Sequence, residues 1–395
     1  MPGVSFGDNG GMTSASHSSA SAEPFEGLRI RGVAKTFGAD TTVLNEIDLD
    51  VHPGELISLV GSSGTGKSTL LRIIAGLEEP SAGRVTYAGQ PLERGSVGVV
   101  FQRPILYPHL SVKDNILFPT RLGAFAGRVD MDYYRELLEA LKLEGLESRK
   151  PSQLSGGQAQ RVGIARALIR RAPVVLFDEP LASVDEEMSA SIRADIVRLH
   201  ERYGFTGLYV THDQNEALML GQRVAVMDAG YLVQVDTPER LLAHPHTLQV
   251  AKLLAAPALN LLALEDSEFL PTGCELAIRA TALCPVAAEA AHSLPVQVLG
   301  SRHLVGGMLY RARLLEAVSL PLESGRASAG TELSARMYAR VRAGQELEFF
   351  IPDAQGGILS GTSPNSTFLS VGDRVHLGVA AERCFVFSKG KRFYL

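Results

Sequence analysis

Apolar and polar positions fall into two textures along this chain. Over residues 28–245, short apolar runs alternate with amphipathic stretches. LISLV (56–60), VGVVF (97–101), VVLF (174–177), GLYVT (207–211) and RVAVM (223–227) are the predicted strands. Several are almost continuously apolar, as strands are when both faces of their sheet are covered. Helical patterns follow over 67–75, 133–141, 158–170, 187–203 and 213–220. Such alternation predicts an α/β region with a largely parallel core. After about Ala255 the long helical patterns fade. Segments 294–300, 308–315, 346–352 and 374–380 are short and separated by Gly, Pro, Ser and Asn, which predicts an all-β barrel or sandwich. Residues 1–26 are rich in Ser, Gly and Ala and bury too little to order themselves, so a disordered tail is expected there.

Composition narrows the class. The chain has 395 residues, enough for two or three domains, and 45% of them are hydrophobic, enough for a sizeable core. Lys and Arg number 38 against 43 Asp and Glu, a net charge of −5, so the bulk charge points to no nucleic-acid partner. No stretch reads as a membrane span; residues 248–264 come nearest but are broken by Gln249, Lys252, Pro257 and Asn260. The beginning of the chain lacks a signal-peptide pattern. Cys274, Cys284 and Cys384 cannot all pair with one another and have no metal-ligand spacing, which suits a reducing compartment.

The chemistry begins at Gly61-Ser62-Ser63-Gly64-Thr65-Gly66-Lys67-Ser68, which matches G-x-x-x-x-G-K-[ST] in full. It follows the predicted strand LISLV and opens a predicted helix with Thr69, the context this motif needs. Glycines let the backbone close around phosphate oxygens, and backbone N–H groups at a helix N-terminus face the anion. Lys67 is expected on the β- and γ-phosphates and Ser68 on Mg²⁺. Downstream, VVLF ends in Asp178 and Glu179. A strand tip puts such side chains at the sheet edge where α/β folds bind ligands. Asp178 suits the Mg²⁺ contact. Glu179, pointing to the other side by strand alternation, suits the polarising of an attacking water.

Leu154-Ser155-Gly156-Gly157-Gln158 opens another helical pattern and is a second anion-ready device, with Ser155 as cap and two glycines for close approach. LSGGQ resembles the signature of ABC-type ATPases. That resemblance implies a head-to-tail homodimer in which the P-loop of one subunit and the signature of the other enclose one ATP. It implies further that Gln102 is the Q-loop glutamine, reaching Mg²⁺ and the attacking water, that Asp185 in LASVD is the D-loop aspartate at the subunit interface, and that His212 is the switch histidine on the γ-phosphate. Phe37 stands where the family places an adenine-stacking aromatic; a core phenylalanine is the alternative.

The fold class that follows is an α/β P-loop NTPase of ABC type over 27–245, then an all-β OB-like domain over 246–395. VFQRPILYPHLSVKDNI (100–116), YVTHDQNEALMLGQRVAVMDAGYLVQVDTP (209–238) and PALNLL (257–262) resemble ATPase subunits of bacterial importers of the maltose, multiple-sugar and glycerol-phosphate type. The resemblance implies two integral-membrane permease subunits, a solute-binding protein reached through them, and a peripheral place on the cytoplasmic face of the inner membrane. The solute expected first is a sugar, with polyamine, iron and other small solutes on the same engine as alternatives. Residues 104–115, directly after Gln102, are expected to dock on a permease through Ile105, Leu106, Tyr107 and Leu110. Three departures stand out: Ala277-Ile278-Arg279-Ala280-Thr281 replaces a G-I-R-P-E type segment, Gly163 replaces Ala in the signature helix, and Ser183-Val184 replaces Asn-Leu before Asp185. A soluble repair ATPase would carry a long coiled-coil insertion, and a translation ATPase two cassettes; here only 86 residues separate Ser68 from Ser155, with no heptad run. An exporter ATPase is the other rival, and the C-terminal β-region favours import.

Overall fold

The computed structural model describes residues 25–38, 40–122, 129–265, 270, 273–287, 290, 293–305, 307–322, 337–352, 369–379 and 383–392. The tail expected over 1–26 lies outside them except for Phe25 and Glu26.

The N-terminal two-thirds run β1 (Leu28–Phe37), β2 (Thr41–Val51), β3 (Leu56–Val60), α1 (Lys67–Ile74), β4 (Ala82–Tyr87), β5 (Gln90–Pro91), β6 (Gly98–Val100), α2 (Val112–Leu117), α3 (Met131–Ala140), α4 (Gly156–Leu168), β7 (Val174–Asp178), α5 (Glu186–Tyr203), β8 (Thr206–Thr211), α6 (Gln214–Leu220), β9 (Arg223–Asp228), β10 (Tyr231–Asp236), α7 (Pro238–Ala243) and α8 (Leu248–Leu253). All five predicted strands and all five predicted helices form, with no end shifted by more than two residues. The central sheet has the order β10-β9-β3-β8-β7-β6. Its β9-β3-β8-β7-β6 stretch is parallel throughout.

Period-two alternation explains the apolar runs. In β7, Val174 and Leu176 enter one core while Val175 and Phe177 enter the other. β8 does the same, with Leu208 and Val210 on one face and Tyr209 on the other. Helices α2 to α5 cover the second face. The first face meets α1, whose Leu70, Leu71, Ile73 and Ile74 share one core with Leu28, Ile30 and Val33 of β1. So α1 lies between the central sheet and an antiparallel sheet of order β2-β1-β4-β5, which the reading of a parallel core did not anticipate. β1 and β2 alternate weakly and carry irregular register, so their pattern is blurred.

The signature helix α4 is fastened to α5 through buried charge. Arg161 Nε donates to Asp195 Oδ2 at 3.0 Å, and its Nη2 donates to Ser191 Oγ at 2.8 Å. Gly163 lies buried in this helix, not on an exposed face. A Cβ there would meet only Pro104 Cβ, at 3.7 Å. Gly163→Ala should therefore raise the free energy of unfolding by about 0.5–1 kcal/mol, because alanine restricts the unfolded chain and suits a helix interior. Denaturant unfolding checks this, and a lowered midpoint would refute it.

The remaining described segments are strands β11 (Leu259–Ala263), β12 (Glu275–Arg279), β13 (Cys284–Val286), β14 (Leu294–Leu304), β15 (Gly307–Leu314), β16 (Val318–Leu322), β17 (Met337–Val341), β18 (Glu346–Pro352), β19 (Arg374–Gly378), β20 (Cys384–Ser388) and β21 (Lys391–Arg392). They form sheets β11-β12-β20-β21, β13-β19-β14-β15-β18 and β16-β17, in agreement with the all-β, OB-like expectation. One core joins Leu276, Ile278, Leu294, Val296, Tyr310, Leu347 and Phe349. Helix α8, inside the stretch assigned to the OB-like domain, packs into both halves. Its Val250 packs with Val60, Val224 and Val226, and its Ala251 packs with Ala277, Phe385 and Phe387. Among the described residues no helix is long and apolar enough to cross a membrane.

Candidate functional site

The site is made by strand order. β3, β8, β7 and β6 are adjacent and parallel, so their carboxyl ends lie side by side. The glycine-rich loop leaves β3, His212 leaves β8, Asp178 and Glu179 leave β7, and Gln102 follows β6. Four segments scattered over 150 residues of sequence thus meet at one sheet edge, the place where open α/β sheets bind ligands.

Within the loop, Gly66 caps α1 at φ +98°, a left-handed conformation that favours glycine. A Cβ on Gly61 would lie 2.4 Å from the Met227 carbonyl oxygen, and one on Gly66 would lie 2.7 Å from Leu44. The loop is therefore pressed against β9 and β2, with Ser62, Ser63 and Gly64 left exposed at its rim and Thr69 half-buried in the first turn. Thr65 Oγ1 donates to Ser62 O at 3.0 Å and braces the loop from inside. Lys67 is buried, and its Nζ donates to Gly61 O at 2.8 Å and to Ser62 O at 2.9 Å. An ammonium held inside a backbone cradle fits a polyphosphate ligand. Burial lowers the Lys67 pKa, while the carboxylates of Glu179 and Asp178 oppose that shift.

Ser68 Oγ donates to Asp178 Oδ1 at 3.3 Å, which puts a hydroxyl and a carboxylate together next to the cradle. Both are hard oxygen donors of the kind Mg²⁺ takes. Burial pushes the Asp178 carboxyl above its ordinary range; the Glu179 charge adds to this, and Ser68, Arg72 and Lys67 oppose it.

Strand alternation does not aim Glu179. β7 stops at Asp178, and Glu179 takes φ +46°. Its amide still donates to Val210 O at 2.9 Å, which holds it to β8, and the left-handed φ turns the chain out of the strand at this residue. A non-glycine residue in that region carries strain of about 1–3 kcal/mol, a feature concentrated at functional sites. The turn brings Glu179 Oε2 to 3.1 Å from His212 Nδ1, a contact that neither motif alone reveals.

Gln102 is exposed, and the chain around it is anchored. Ser183 Oγ donates to the Gln102 carbonyl at 3.2 Å, and Gln160 Nε2 donates to the Phe101 carbonyl at 3.2 Å. Ser183, noted earlier only as a departure, thus ties the segment before Asp185 to the segment carrying Gln102. Asp185 is exposed, and its Oδ1 accepts from the Met188 amide at 2.9 Å as the N-cap of α5. Phe37 is 42% exposed, with the Lys35 ammonium 4.9 Å from its ring centroid, so the alternative of a core phenylalanine is wrong.

The second anion device stands apart. Ser155 caps α4: its Oγ accepts from the Gln158 amide at 3.2 Å, and its own amide donates to Gln158 Oε1 at 3.0 Å. Gln158 therefore completes a capping box. Gly156 is exposed with open space where a Cβ would stand, whereas one on Gly157 would strike Met188 at 2.6 Å. Only Ser155 and Gly156 offer the open approach expected of the whole motif; Gly157 packs α4 on α5. Among the described residues, no hydrogen bond or ion pair joins 155–158 to 61–69. Along 104–115, Asn115 is buried and clamps the loop, accepting from Tyr107 N at 2.7 Å and donating to Tyr107 O, Leu110 O and Ser111 O. Ile105 and Tyr107 are exposed on that loop, but Leu106 packs against the main core and leaves the expected docking face.

Residues 44–182 match the family described as ABC transporter. The sn-glycerol-3-phosphate import ATP-binding protein UgpC 1 of Rhizobium johnstonii is 45% identical over 241 residues, which are 60% of this chain and 65% of that protein. UgpC of Escherichia coli O1:K1 is 43% identical over 244 residues, 60% of this chain and 68% of that protein. About two thirds of each relative's length is therefore matched. Among solved structures, cbiO1 from Clostridium perfringens, part of the ABC transporter complex cbiONQ, has a TM-score of 0.50 at 27% identity, over 56% of this chain and 92% of that one. With a P-loop, paired acids and a strand-end histidine at one sheet edge, and a separate capped signature helix, this chain belongs to the ABC transporter family of ATP-binding proteins.

Proposed function

We propose that this chain is the ATP-hydrolysing subunit of an ABC importer, with the ATPase unit over 27–245 and an OB-like regulatory and dimerisation unit over 246–395. The observation that carries this reading is the meeting of the loop, Asp178, Glu179, His212 and Gln102 at the ends of four adjacent parallel strands. Backbone amides of 61–66 and the Lys67 ammonium hold the phosphates. Ser68, Asp178 and Gln102 supply the oxygen donors for Mg²⁺. Held there, the ion would supply positive charge to offset the negative charge that develops as the γ-phosphoryl transfers. Glu179 polarises the attacking water and accepts its proton. His212 contacts the γ-phosphate. As the water-polarising base Glu179 accepts hydrogen bonds, so His212 Nδ1 is the donor in their contact. Phe37 offers an exposed ring to the adenine.

The separation of Ser155 and Gly156 from 61–69 supports a head-to-tail homodimer: each chain presents both devices, and a second copy brings the signature of one to the P-loop of the other, with Asp185 at the seam. Closure of that pair is the movement transmitted to two permease subunits, through Ile105 and Tyr107 beside Gln102. A solute-binding protein acts through the permeases, and the chain works at the cytoplasmic face of the inner membrane. The relatives named for sn-glycerol 3-phosphate import favour a carbohydrate-type solute. The test is co-expression with the permease and binding-protein genes that neighbour its own, followed by uptake into proteoliposomes. We expect MgATP-driven uptake of a sugar or glycerol phosphate. Retrieval of no membrane subunit would overturn the import reading.

A further inference from the structure

His212 is half-exposed at the tip of β8, and its position depends on what grips the residues on either side of it. Thr211 is buried, and its hydroxyl donates to Glu216 Oε2 at 2.8 Å. The same hydroxyl accepts from the Asp213 amide at 3.0 Å. Asp213 Oδ1 in turn accepts from the amides of Asn215 at 2.7 Å and Glu216 at 3.0 Å, which caps α6. Glu216 is buried, and its Oε2 also accepts from the Tyr209 hydroxyl at 3.2 Å. Its other oxygen lies 3.6 Å from Arg193 Nη1. A buried carboxylate next to a reacting centre is costly to keep, and here both of its oxygens are committed to the loop or to one guanidinium.

We propose that Glu216 is the positioning residue for His212, gripping the loop on both sides of it through the Thr211 hydroxyl and, through that hydroxyl, the Asp213 amide. This rests on the reading of His212 as the γ-phosphate contact. Glu216 touches neither nucleotide nor Glu179. It fixes where the imidazole stands relative to Glu179 Oε2. Sequence reading passed over it because a glutamate in a helix is ordinarily a solvated residue; only burial shows the difference.

The experiment uses the full chain and measures kcat and KM for MgATP. Thr211→Val removes the hydroxyl at nearly constant volume. Glu216→Gln keeps the one acceptor oxygen that both hydroxyls share but turns an NH₂ toward Arg193, so it breaks the anchor on the guanidinium that holds that oxygen in place. We expect each to lower kcat about ten-fold, with KM within about two-fold, because misplacement of a transition-state contact acts on kcat. In a His212→Ala background neither change should lower kcat further, since both act through the imidazole; thermal denaturation run alongside shows whether a variant is folded. If His212→Ala is impaired but Thr211→Val and Glu216→Gln keep wild-type kcat, the positioning role falls and the γ-phosphate reading stands. Losses that add to that of His212→Ala would also overturn it, as a merely structural effect does. If His212→Ala itself hydrolyses at the wild-type rate, the reading of His212 falls and takes this inference with it.

Discussion

Replacing Glu179 by glutamine should leave a protein that binds ATP and no longer turns it over. The amide is isosteric, so the Glu179 amide bond to Val210 O and the left-handed turn are kept. His212 Nδ1 can still donate to the side-chain oxygen 3.1 Å away. What disappears is the proton acceptor, and loss of a general base lowers kcat by at least about a hundred-fold. Electrostatics work the other way for binding. The Glu179 charge raises the pKa of Asp178 and repels a polyphosphate. Burial, the largest cause holding the Asp178 carboxyl above its ordinary range, stays in place; the variant removes the smaller contribution of the Glu179 charge, and the phosphates meet one negative charge fewer. ATP affinity should be kept or tightened, and an ATP-dependent dimer should persist on a sizing column. Hydrolysis at the wild-type rate would sink the assignment of Glu179 as base.

Lys67→Ala should have the opposite signature, loss of nucleotide affinity. The ammonium is buried with two carbonyl partners and sits where the loop closes around phosphate. Charge-assisted contacts of this kind contribute about 1.5–3 kcal/mol, which corresponds to an ATP Kd higher by about 10- to 100-fold. The effect is compounded because Lys67, with Arg72, offsets Asp178 and also faces Glu179. Without it less positive charge stands beside those carboxylates when the ligand arrives. The fold should survive, since alanine is the best helix former at the start of α1 and Thr65 still braces the loop. Titration of a fluorescent ATP analogue, with circular dichroism as the control, decides it: unchanged affinity would refute the P-loop reading.

Much of this was legible from residue order. LISLV followed by a full phosphate-loop motif and a helical pattern places the cradle at a strand end without further help. The tips of VVLF and GLYVT are equally plain, because continuous apolar runs mark strands buried on both faces. Less legible were features set by neighbours distant in sequence. The antiparallel sheet of β1, β2, β4 and β5 escaped notice because irregular register blurs its alternation. The end of VVLF places Glu179 at the sheet edge, but a backbone turn and not strand alternation aims its side chain. Gly157 and Gln158 look like ligand-facing members of LSGGQ, yet one packs on Met188 and the other closes a capping box.

The sequence by itself determined the local devices: a loop that must be glycine-rich to wrap phosphate, strands that must be buried, helices with their caps. Those depend on residues within a few positions of one another, where spacing is all that matters. Only the tertiary structure decided that the devices meet. The order β3-β8-β7-β6 is not the order of the chain, and it arises from strand pairing between segments as far apart as Leu56 and Gly207. Likewise, no spacing rule separates the buried Glu216 from the exposed Glu186 and Glu187 at the start of α5. Burial is a property of what packs above a side chain, and that belongs to the fold.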